Sequence, residues 1–244
     1  GAGINVVEDG AKLNIMAMTD KDVDALAGTR NLANADTVRF EKDLLPIKGG
    51  LFDDKLTGGH SGNRWSAIKL HEPMPNPVME EPIRRLLGVT ALEFEQVLAG
   101  NKQFNGCTGP ACIAKSLKSI NVDKEIAVAR MHIASGKKTH RDKAVRKIGY
   151  LKSAKKLGIH PGDWMLKRVP VLPPMFRPVS VMSGSKLPLI ADPNYLYKEL
   201  LEANKNLESM HKDVDEVGTE RLAVYHAFKG ITGLGDPIHP KNQE

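Results

Sequence analysis

The sequence contains few cysteines, few aromatic residues and no long apolar run. With only two cysteines in 244 residues, a disulfide framework is excluded, and both are predicted to be thiols of a protein in a reducing cytoplasm. Aromatic residues make up 5% of the chain against 22 glycines and 15 prolines, which favours short elements with long connections over a compact sandwich. No run approaches the roughly 18 apolar residues of a membrane span, so no membrane contact is expected.

Ligands for a metal ion are equally sparse. Four residues separate Cys107 from Cys112, but zinc would need two further soft ligands and the chain has no other cysteine. His60 and His71 each stand apart from a second good ligand, so a structural or surface role is favoured over metal binding. No serine or cysteine lies in a nucleophile motif either. We therefore predict no zinc, no other cofactor and no catalytic residue on this chain.

One segment, residues 137–156, has almost no acidic residues. It contains nine lysines and arginines against Asp142 alone. Its apolar residues recur at helical spacing and predict an amphipathic helix with one buried stripe, formed by Val145, Ile148, Leu151 and Ala154. A solvated helix face is one interpretation, but the charge imbalance favours a polyanion as partner. The predicted contacts to nucleic acid on this helix are Lys143, Arg146 and Lys147.

The rest of the chain divides by composition into segments on either side of this helix. Residues 1–45 are a polar arm, either with one short helix capped by Thr19 or only partly ordered. Residues 46–77 are rich in glycine and proline, with one strand near Trp65–Leu70 that Pro73, Pro75 and Pro77 end. Residues 78–162 are helical, with one helix capped by Thr90 and another that begins at Asn121 or Asp123.

The C-terminal part begins with a stiff proline strap and a small polar loop, residues 163–192. Two helices over residues 193–229 follow, and residues 230–244 are loop-like. The first helix carries a seam typical of a coiled coil, formed by Leu196, Leu200, Ala203 and Leu207. An acidic tip predicted to bind a protein partner joins the two helices, and it contains Asp213, Asp215 and Glu216. The expected fold is mainly α with short β segments (α+β), with an antiparallel coiled-coil hairpin.

The order of these pieces resembles a known family. The motifs are Asp163-Trp164-Met165, the strap from Val169 to Pro174, Phe176-Arg177-Pro178, the loop Val181-Met182-Ser183-Gly184-Ser185, and Asn204-Lys205-Asn206-Leu207. Gly50-Leu51-Phe52-Asp53 adds a match near the start. Together they resemble the N-terminal clamp region of the largest (β′ or Rpb1-type) subunit of multisubunit DNA-dependent RNA polymerases.

This resemblance implies roles for several segments. Residues 177–188 would be the lid, which separates RNA from the template, with Val181, Met182, Ser183, Gly184 and Ser185 at its working end. Residues 193–229 would be the clamp helices, which dock an initiation factor of the sigma type, and residues 230–244 would lead toward the rudder. Besides the basic helix, the expected contacts to the DNA template and the RNA–DNA hybrid are Lys167, Arg177 and Lys186.

Departures from the family are also informative. The zinc-binding cysteines that the family carries between its two N-terminal motifs have no counterpart here. The catalytic N-A-D-F-D-G-D motif, whose aspartates hold Mg²⁺, is not recognised either. We therefore expect an irregular clamp module that needs partner subunits, with Mg²⁺ on the chain that carries the aspartate triad.

Such a chain would be a split β′ subunit of a phage polymerase, in the cytoplasm of a bacterial host or in the virion, or else a fragment. The alternative is a free-standing basic protein that binds nucleic acid without polymerase partners.

Overall fold

The computed structural model describes residues 4–6, 13–15, 18–34, 47–59, 62–181, 188–190 and 192–234. The helices in this part of the chain are α1 (Asp20–Ala27), α2 (Asp54–Thr57), α3 (Glu80–Leu87), α4 (Ala91–Ala99), α5 (Pro110–Lys118), α6 (Val122–Ser135), α7 (Lys138–Lys156), α8 (Asp192–Asp213) and α9 (Gly218–Thr232). The strands are β1 (Ile4–Val6), β2 (Leu13–Ile15), β3 (Ser66–Pro75), β4 (Met165–Val171), β5 (Val179–Val181) and β6 (Pro188–Ile190).

The strands form three two-stranded sheets, in which β1 pairs with β2, β3 with β4 and β5 with β6. Short 3-10 turns cover Pro77–Met79, Pro161–Trp164 and Pro174–Phe176. This composition confirms the prediction of a mainly α fold with short β segments. None of the helices described is both long and apolar enough to cross a membrane.

The chain divides into two compact units. Unit 2 comprises residues 72–166 and is inserted in the sequence between the two segments of unit 1, residues 1–71 and 167–244. Unit 1 therefore contains the helical pair α8 and α9 with the strap, and unit 2 contains α3 to α7.

Helix starts follow the predicted capping residues. The Thr90 hydroxyl accepts from the backbone N–H of Glu93 at 3.2 Å, and the Glu93 carboxylate accepts from the backbone N–H of Thr90 at 3.0 Å. At the start of α1, the Asp22 carboxylate accepts from the backbone N–H of Thr19 at 2.8 Å and from its hydroxyl at 3.1 Å. Asn121 caps α6 by accepting from the backbone N–H of Lys124. Each cap satisfies N–H groups that a helix start otherwise leaves unpaired, and stabilises by about 1 kcal/mol.

In unit 1, α8 and α9 pack against each other. The predicted apolar side of α9 is buried throughout, at Val224, Ala227, Phe228 and Ile231. On α8, Leu200 and Leu207 are both 0% exposed, and a Cβ at Gly230 would lie 3.6 Å from Leu196 Cδ2. The connection between the two helices is short, covering residues 214–217, and buries Val217.

In unit 2, α6 and α7 pack around a small cluster of Ala129, Ala144 and Ile148. The predicted stripe of α7 is correct at Ile148, Leu151 and Ala154 but wrong at Val145, which is 55% exposed. Ala144 takes its place because it precedes Ile148 by four residues, the spacing that puts two side chains on one helix face.

The proline-rich segments differ from their predictions. β3 passes Pro73 and ends at Pro75, the second of the three prolines predicted to end it, and this is possible because a strand in a two-stranded sheet has an edge where the missing N–H costs nothing. The strap is extended only through β4, and then turns at Pro174–Phe176. Its core-facing residues, among them Val169, Val171 and Leu172, are buried, so the strap belongs to the interior of unit 1.

Cys107 and Cys112 form a disulfide, and the prediction of two thiols is wrong for this structure. Asn105 and Gly106 both have positive φ and form a tight turn, closed by the backbone N–H of Cys107 donating to the Phe104 carbonyl at 3.1 Å. Cys107 follows this turn and Cys112 lies near the start of α5, and their Cα atoms are 5.4 Å apart, a separation that suits a disulfide. A disulfide is uncommon in a reducing cytoplasm, so the cysteine pair does not support the predicted compartment.

We expect the Cys107→Ser/Cys112→Ser variant to lower the free energy of unfolding by about 2 kcal/mol under non-reducing conditions, because a closed loop this short removes modest chain entropy. Chemical denaturation with and without a reductant measures the effect. The same reductant should destabilise the parent chain and leave the double variant unchanged. Equal stability of parent and variant in the absence of reductant would contradict a structural disulfide.

Candidate nucleic-acid interface

Helix α7 presents its cations to solvent, as predicted. Of the basic residues in 137–156, Lys147 is half-buried and the others are exposed. Two of them form ion pairs with α6: Lys147 Nζ lies 2.8 Å from Glu125 Oε2 and Lys155 Nζ lies 2.7 Å from Asp123 Oδ1. In the part of the chain that the structure describes, Lys143 and Arg146 have no ion pair. Their charges are therefore available to an external anion.

The three predicted contacts on α7 share one side of the helix. Lys143, Arg146 and Lys147 stand at i, i+3 and i+4, which makes them neighbours on a helical surface. Lys152 follows Lys143 by nine residues, a rotation of roughly half a turn, and so lies on the opposite side. The helix thus has two separate basic sides flanking its buried stripe.

Lys167 belongs to unit 1, where its exposed side chain lies on β4. Its backbone N–H donates to Asp20 Oδ1 at 2.9 Å, and the neighbouring Arg168 forms an ion pair with Asp24. Burial raises the pKa of the Asp20 carboxyl, while hydrogen bonds from the backbone of Lys167 and Arg168 act in the opposite direction. Lys186, the other lysine predicted beside the lid, lies outside the described residues.

Three aspartates at alternate positions, which sequence reasoning missed, occur in α1: Asp20, Asp22 and Asp24. Asp22 lies roughly 200° around the helix from Asp20, whereas Asp24 shares the face of Asp20, so the three carboxylates do not converge on one point. Each has its own partner, because Asp22 closes the capping box with Thr19 while Asp20 and Asp24 bind β4. Among the residues that the structure describes, no group of three or more His, Cys, Asp or Glu side chains is arranged to hold a metal ion.

Arg177 is the largest fully buried side chain of unit 1. It is 0% exposed, and its guanidinium donates from Nε to the Leu172 carbonyl at 2.7 Å and from Nη1 to Asn194 Oδ1 at 2.9 Å. A third donation, from Nη2, goes to the Leu51 carbonyl. A side chain with no exposed surface cannot reach a phosphate in this conformation, so the structure does not support Arg177 as a nucleic-acid contact.

The positive charge of Arg177 is held by dipoles and rings. Besides its three oxygen acceptors, the guanidinium carbon lies 4.8 Å from the centre of the Phe52 ring and 6.0 Å from that of Tyr197. Burial lowers the pKa of the guanidinium to about 10, so it stays protonated at neutral pH. Cation–π contacts and charge-assisted hydrogen bonds offset part of the desolvation cost of such a buried cation.

Motifs that are far apart in the sequence meet at this guanidinium. Asn194 reciprocates by donating from Nδ2 to the Arg177 carbonyl at 3.0 Å. The Tyr197 hydroxyl donates to the Pro170 carbonyl and accepts from the backbone N–H of Leu172, both at 3.1 Å. We call Leu51, Leu172, Arg177, Asn194 and Tyr197 the arginine node. It ties the Gly-Leu-Phe-Asp motif, the strap and the start of α8 together.

The segment predicted to be the lid contains a strand, β5, that begins two residues after Arg177 and pairs with β6. β5 and β6 are antiparallel, with Val179 opposite Ile190, Ser180 opposite Leu189 and Val181 opposite Pro188. Val181 therefore ends β5, whereas the other predicted lid residues, Met182, Ser183, Gly184 and Ser185, lie outside the described residues. A loop was predicted here, and the strand pair β5–β6 was not.

The predicted partner-binding acids lie around the connection from α8 to α9. Asp213 ends α8, Asp215 and Glu216 follow in the turn, and all three are exposed. His71 has a structural contact on the same unit, since its Nε2 lies 3.0 Å from His211 Nδ1 and its backbone N–H donates to Asn204 Oδ1 at 2.8 Å. His60, for which a structural or surface role was also predicted, lies outside the described residues.

Comparison with known proteins identifies relatives of this sequence. No protein-family model matches the chain. A "DNA-directed RNA polymerase subunit beta'" of Nocardioides sp. is 29% identical over 128 residues, which is 52% of this chain and 10% of the relative. The subunit of the same name from Streptococcus agalactiae is 30% identical over 146 residues, 59% of this chain and 11% of the relative.

The β′ subunit of Bacillus mycoides is 27% identical over 107 residues, covering 44% of this chain and 9% of its own length. The chain thus spans about a tenth of the length of the curated relatives it matches. Over about half of its residues, this chain is similar to a part of the β′ subunit of DNA-directed RNA polymerase.

Proposed function

We propose that this chain is a non-catalytic part of the β′ subunit of a multisubunit DNA-directed RNA polymerase, a nucleotidyltransferase, and that it forms the clamp region. The similarity to β′ subunits over about half of the chain is the observation that carries this proposal. The arginine node supports it, because the motifs of the resemblance converge on one buried cluster. Other β-type and β′-type chains would complete the enzyme, and the Mg²⁺ site would lie on the chain that carries the aspartate triad.

In this proposal the clamp holds DNA through backbone phosphates. The exposed side of α7 with Lys143, Arg146 and Lys147 would supply contacts in unit 2, and Lys167 would supply one in unit 1. Lysine and arginine contacts of this kind position a duplex without reading its sequence. Arg177 is left out of this set because the structure buries it.

The lid is proposed to separate RNA from template at the end of the hybrid. Support comes from its attachment, because β5 begins two residues after Arg177 and β6 ends two residues before Asp192, which starts α8. Both ends of the strand pair are thus close in sequence to the arginine node. A rigid base would hold the residues between β5 and β6 at a set position against the nucleic acid.

The acidic connection between α8 and α9 is proposed to dock a sigma-like initiation factor. Asp213, Asp215 and Glu216 are exposed together, and three carboxylates repel phosphate. A protein with basic residues is therefore the better partner for this end. We further propose that the α8–α9 pair corresponds to the clamp coiled coil, that residues 230–244 lead toward a rudder, and that the chain is a split subunit of a phage polymerase that acts in the bacterial host cytoplasm or travels in the virion.

Purification from cells that express the chain tests the proposed function. An affinity tag on the full chain should recover a β-type chain and a second β′-type chain that carries the N-A-D-F-D-G-D motif, together with template-dependent RNA synthesis. Recovery of a stable, DNA-binding chain without any large partner would instead establish a free-standing nucleic-acid-binding protein. The exposed basic side of α7 is the observation that favours this second candidate.

Deletion of residues 182–187 with a Gly-Gly connection tests the lid in the assembled polymerase. The expected result is normal assembly with impaired release of the transcript, so that RNA stays paired with the template beyond the usual hybrid. Ribonuclease H sensitivity of the nascent RNA measures this length. The variant Asp215→Gly/Glu216→Gly in the connection between α8 and α9 is the control, because it alters another exposed turn and should leave hybrid length unchanged. An unchanged hybrid in the lid deletion would remove the lid assignment.

A further inference from the structure

We infer that unit 2 contains a phosphate-binding pocket between the end of α3, the start of α4, and the facing sides of α6 and α7. This inference deepens the nucleic-acid role proposed for α7 and rests on it. The pocket has a volume of about 480 Å³, which is in the range of sites that hold small ligands. Gly88, Val89, Thr90 and Ala91 form one wall, Val128 and Ala129 lie opposite, and the remaining walls are cationic.

The charged side chains that line the pocket are all basic. No carboxylate of the described residues lines the pocket. Six side chains that carry nitrogen do: Arg84, Arg85, His132, His140, Lys143 and Lys147. Arginine and lysine stay protonated at neutral pH, and each imidazole adds an N–H donor. A concave surface with these donors favours an anion that offers several acceptor oxygens at once.

Three of the four permanent cations already have an acidic neighbour outside the lining. Arg84 Nε lies 3.8 Å from Glu80, Arg85 Nη2 lies 3.7 Å from Glu81, and Lys147 Nζ lies 2.8 Å from Glu125. Lys143 has no ion pair among the described residues, so the pocket keeps a net positive charge (four cations less three acids). The pocket is thus not neutralised by the protein itself.

The pairing of Arg84 is also incomplete. Its Nε is buried without a hydrogen-bond partner, because the Glu80 carboxylate at 3.8 Å is beyond hydrogen-bond distance. Buried charged donors are normally satisfied, so the guanidinium retains charge that the protein does not compensate. An anion in the pocket would compensate that charge through the rest of the guanidinium group.

The start of α4 adds a smaller contribution. Thr90 and Ala91 line the pocket, and the positive end of the helix dipole lies there. The Glu93 carboxylate, which accepts from the backbone N–H of Thr90, balances part of this dipole. We choose phosphate over carboxylate as the ligand, because paired arginines and lysines match its tetrahedral array of oxygens and its higher charge.

The test uses the full chain and inorganic pyrophosphate, with binding measured by isothermal titration calorimetry. Lys143→Gln, at an exposed position, should weaken binding by about tenfold or more, the effect of losing one charge-assisted contact. Lys152→Gln is the matched control on the opposite side of α7, where the same charge is removed outside the pocket, and it should change affinity by less than about threefold.

A second pair of variants adds charge instead of removing it. Ala91→Glu puts a carboxylate into the pocket at a helix start, where acidic residues are favoured, so the chain should fold normally while pyrophosphate binding is lost. Leu92→Glu adds the same charge at the next residue, which is 66% exposed and outside the lining, and should retain binding within about threefold. Circular dichroism verifies folding of all four variants.

Competition with duplex DNA identifies the source of the phosphate. Pyrophosphate that displaces DNA shows that the pocket takes a backbone phosphate, and pyrophosphate that binds without displacing DNA shows that it takes a free phosphate ligand; both support the pocket. The proposed pocket is overturned if pyrophosphate does not bind. It is also overturned if Lys143→Gln weakens binding no more than Lys152→Gln and Ala91→Glu no more than Leu92→Glu. These results do not test the polymerase proposal, which is tested by the chains that co-purify with this one.

Discussion

Replacement of Arg177 by methionine is expected to lower the free energy of unfolding of the chain by about 3 to 5 kcal/mol. Methionine is of similar length but carries no donor, so three buried acceptors lose their partner: the Leu51 and Leu172 carbonyls and Asn194 Oδ1. An unsatisfied buried acceptor costs about 1 to 3 kcal/mol. Denaturant titration followed by circular dichroism measures the change.

Two further substitutions make this result specific. Arg177→Lys keeps the charge but cannot reproduce the planar fork that reaches three acceptors, so it should recover only part of the loss. Lys167→Met removes an exposed cation from the same unit and should change stability by no more than about 0.5 kcal/mol. If Arg177→Met retained full stability while DNA binding fell, a phosphate contact would be the better assignment for this residue.

Local signals in the sequence predicted most of the helical framework. Thr19, Thr90 and Asn121 each begin a helix as their capping chemistry demands, and glycine ends α4 at Gly100 with positive φ. The buried side of α9 follows directly from its apolar spacing. These features depend on residues within a few positions of each other, which is why a sequence alone contains them.

Contacts between distant segments were not predictable in the same way. Arg177 lies between a proline strap and a polar loop, and such a position suggests an exposed cation. Its burial depends on Leu51, which precedes it by 126 residues, and on Asn194. Periodicity carries no information about such a pairing. One signal was present, since the same motifs that produced the family resemblance supply the members of the arginine node.

The phosphate pocket was hidden for the same reason. Lys143 and Lys147 were predicted from the charge of α7, but Arg84 and Arg85 were not, because they lie some 60 residues earlier in a segment with equal numbers of acids. Only the packing of α3 against α7 brings them together. The missed disulfide has a different origin, because a turn signal lies between the two cysteines in the sequence, at Gly109 with positive φ and at Pro110, which starts α5.

The double variant Lys143→Gln/Arg146→Gln is expected to weaken binding of duplex DNA by about tenfold to a hundredfold at low salt, and to reduce the slope of log affinity against log salt by about 2. Both side chains are exposed and share one side of α7, so both can reach consecutive phosphates of one backbone. Fluorescence anisotropy with a labelled duplex, repeated at several salt concentrations, gives the affinity and the slope.

Lys152→Gln/Lys156→Gln removes the same charge from the side of the helix that carries Lys152 and separates a defined contact from general attraction. A chain with a net charge of +6 attracts DNA weakly wherever its cations lie, so this control should cost less than about threefold and leave the slope nearly unchanged. If the two double variants lose the same affinity for duplex DNA, α7 attracts DNA through its net charge and no one side of the helix binds it. Unequal losses in the predicted direction would locate the duplex on the side of α7 that carries Lys143, because only groups that displace condensed counterions alter the slope.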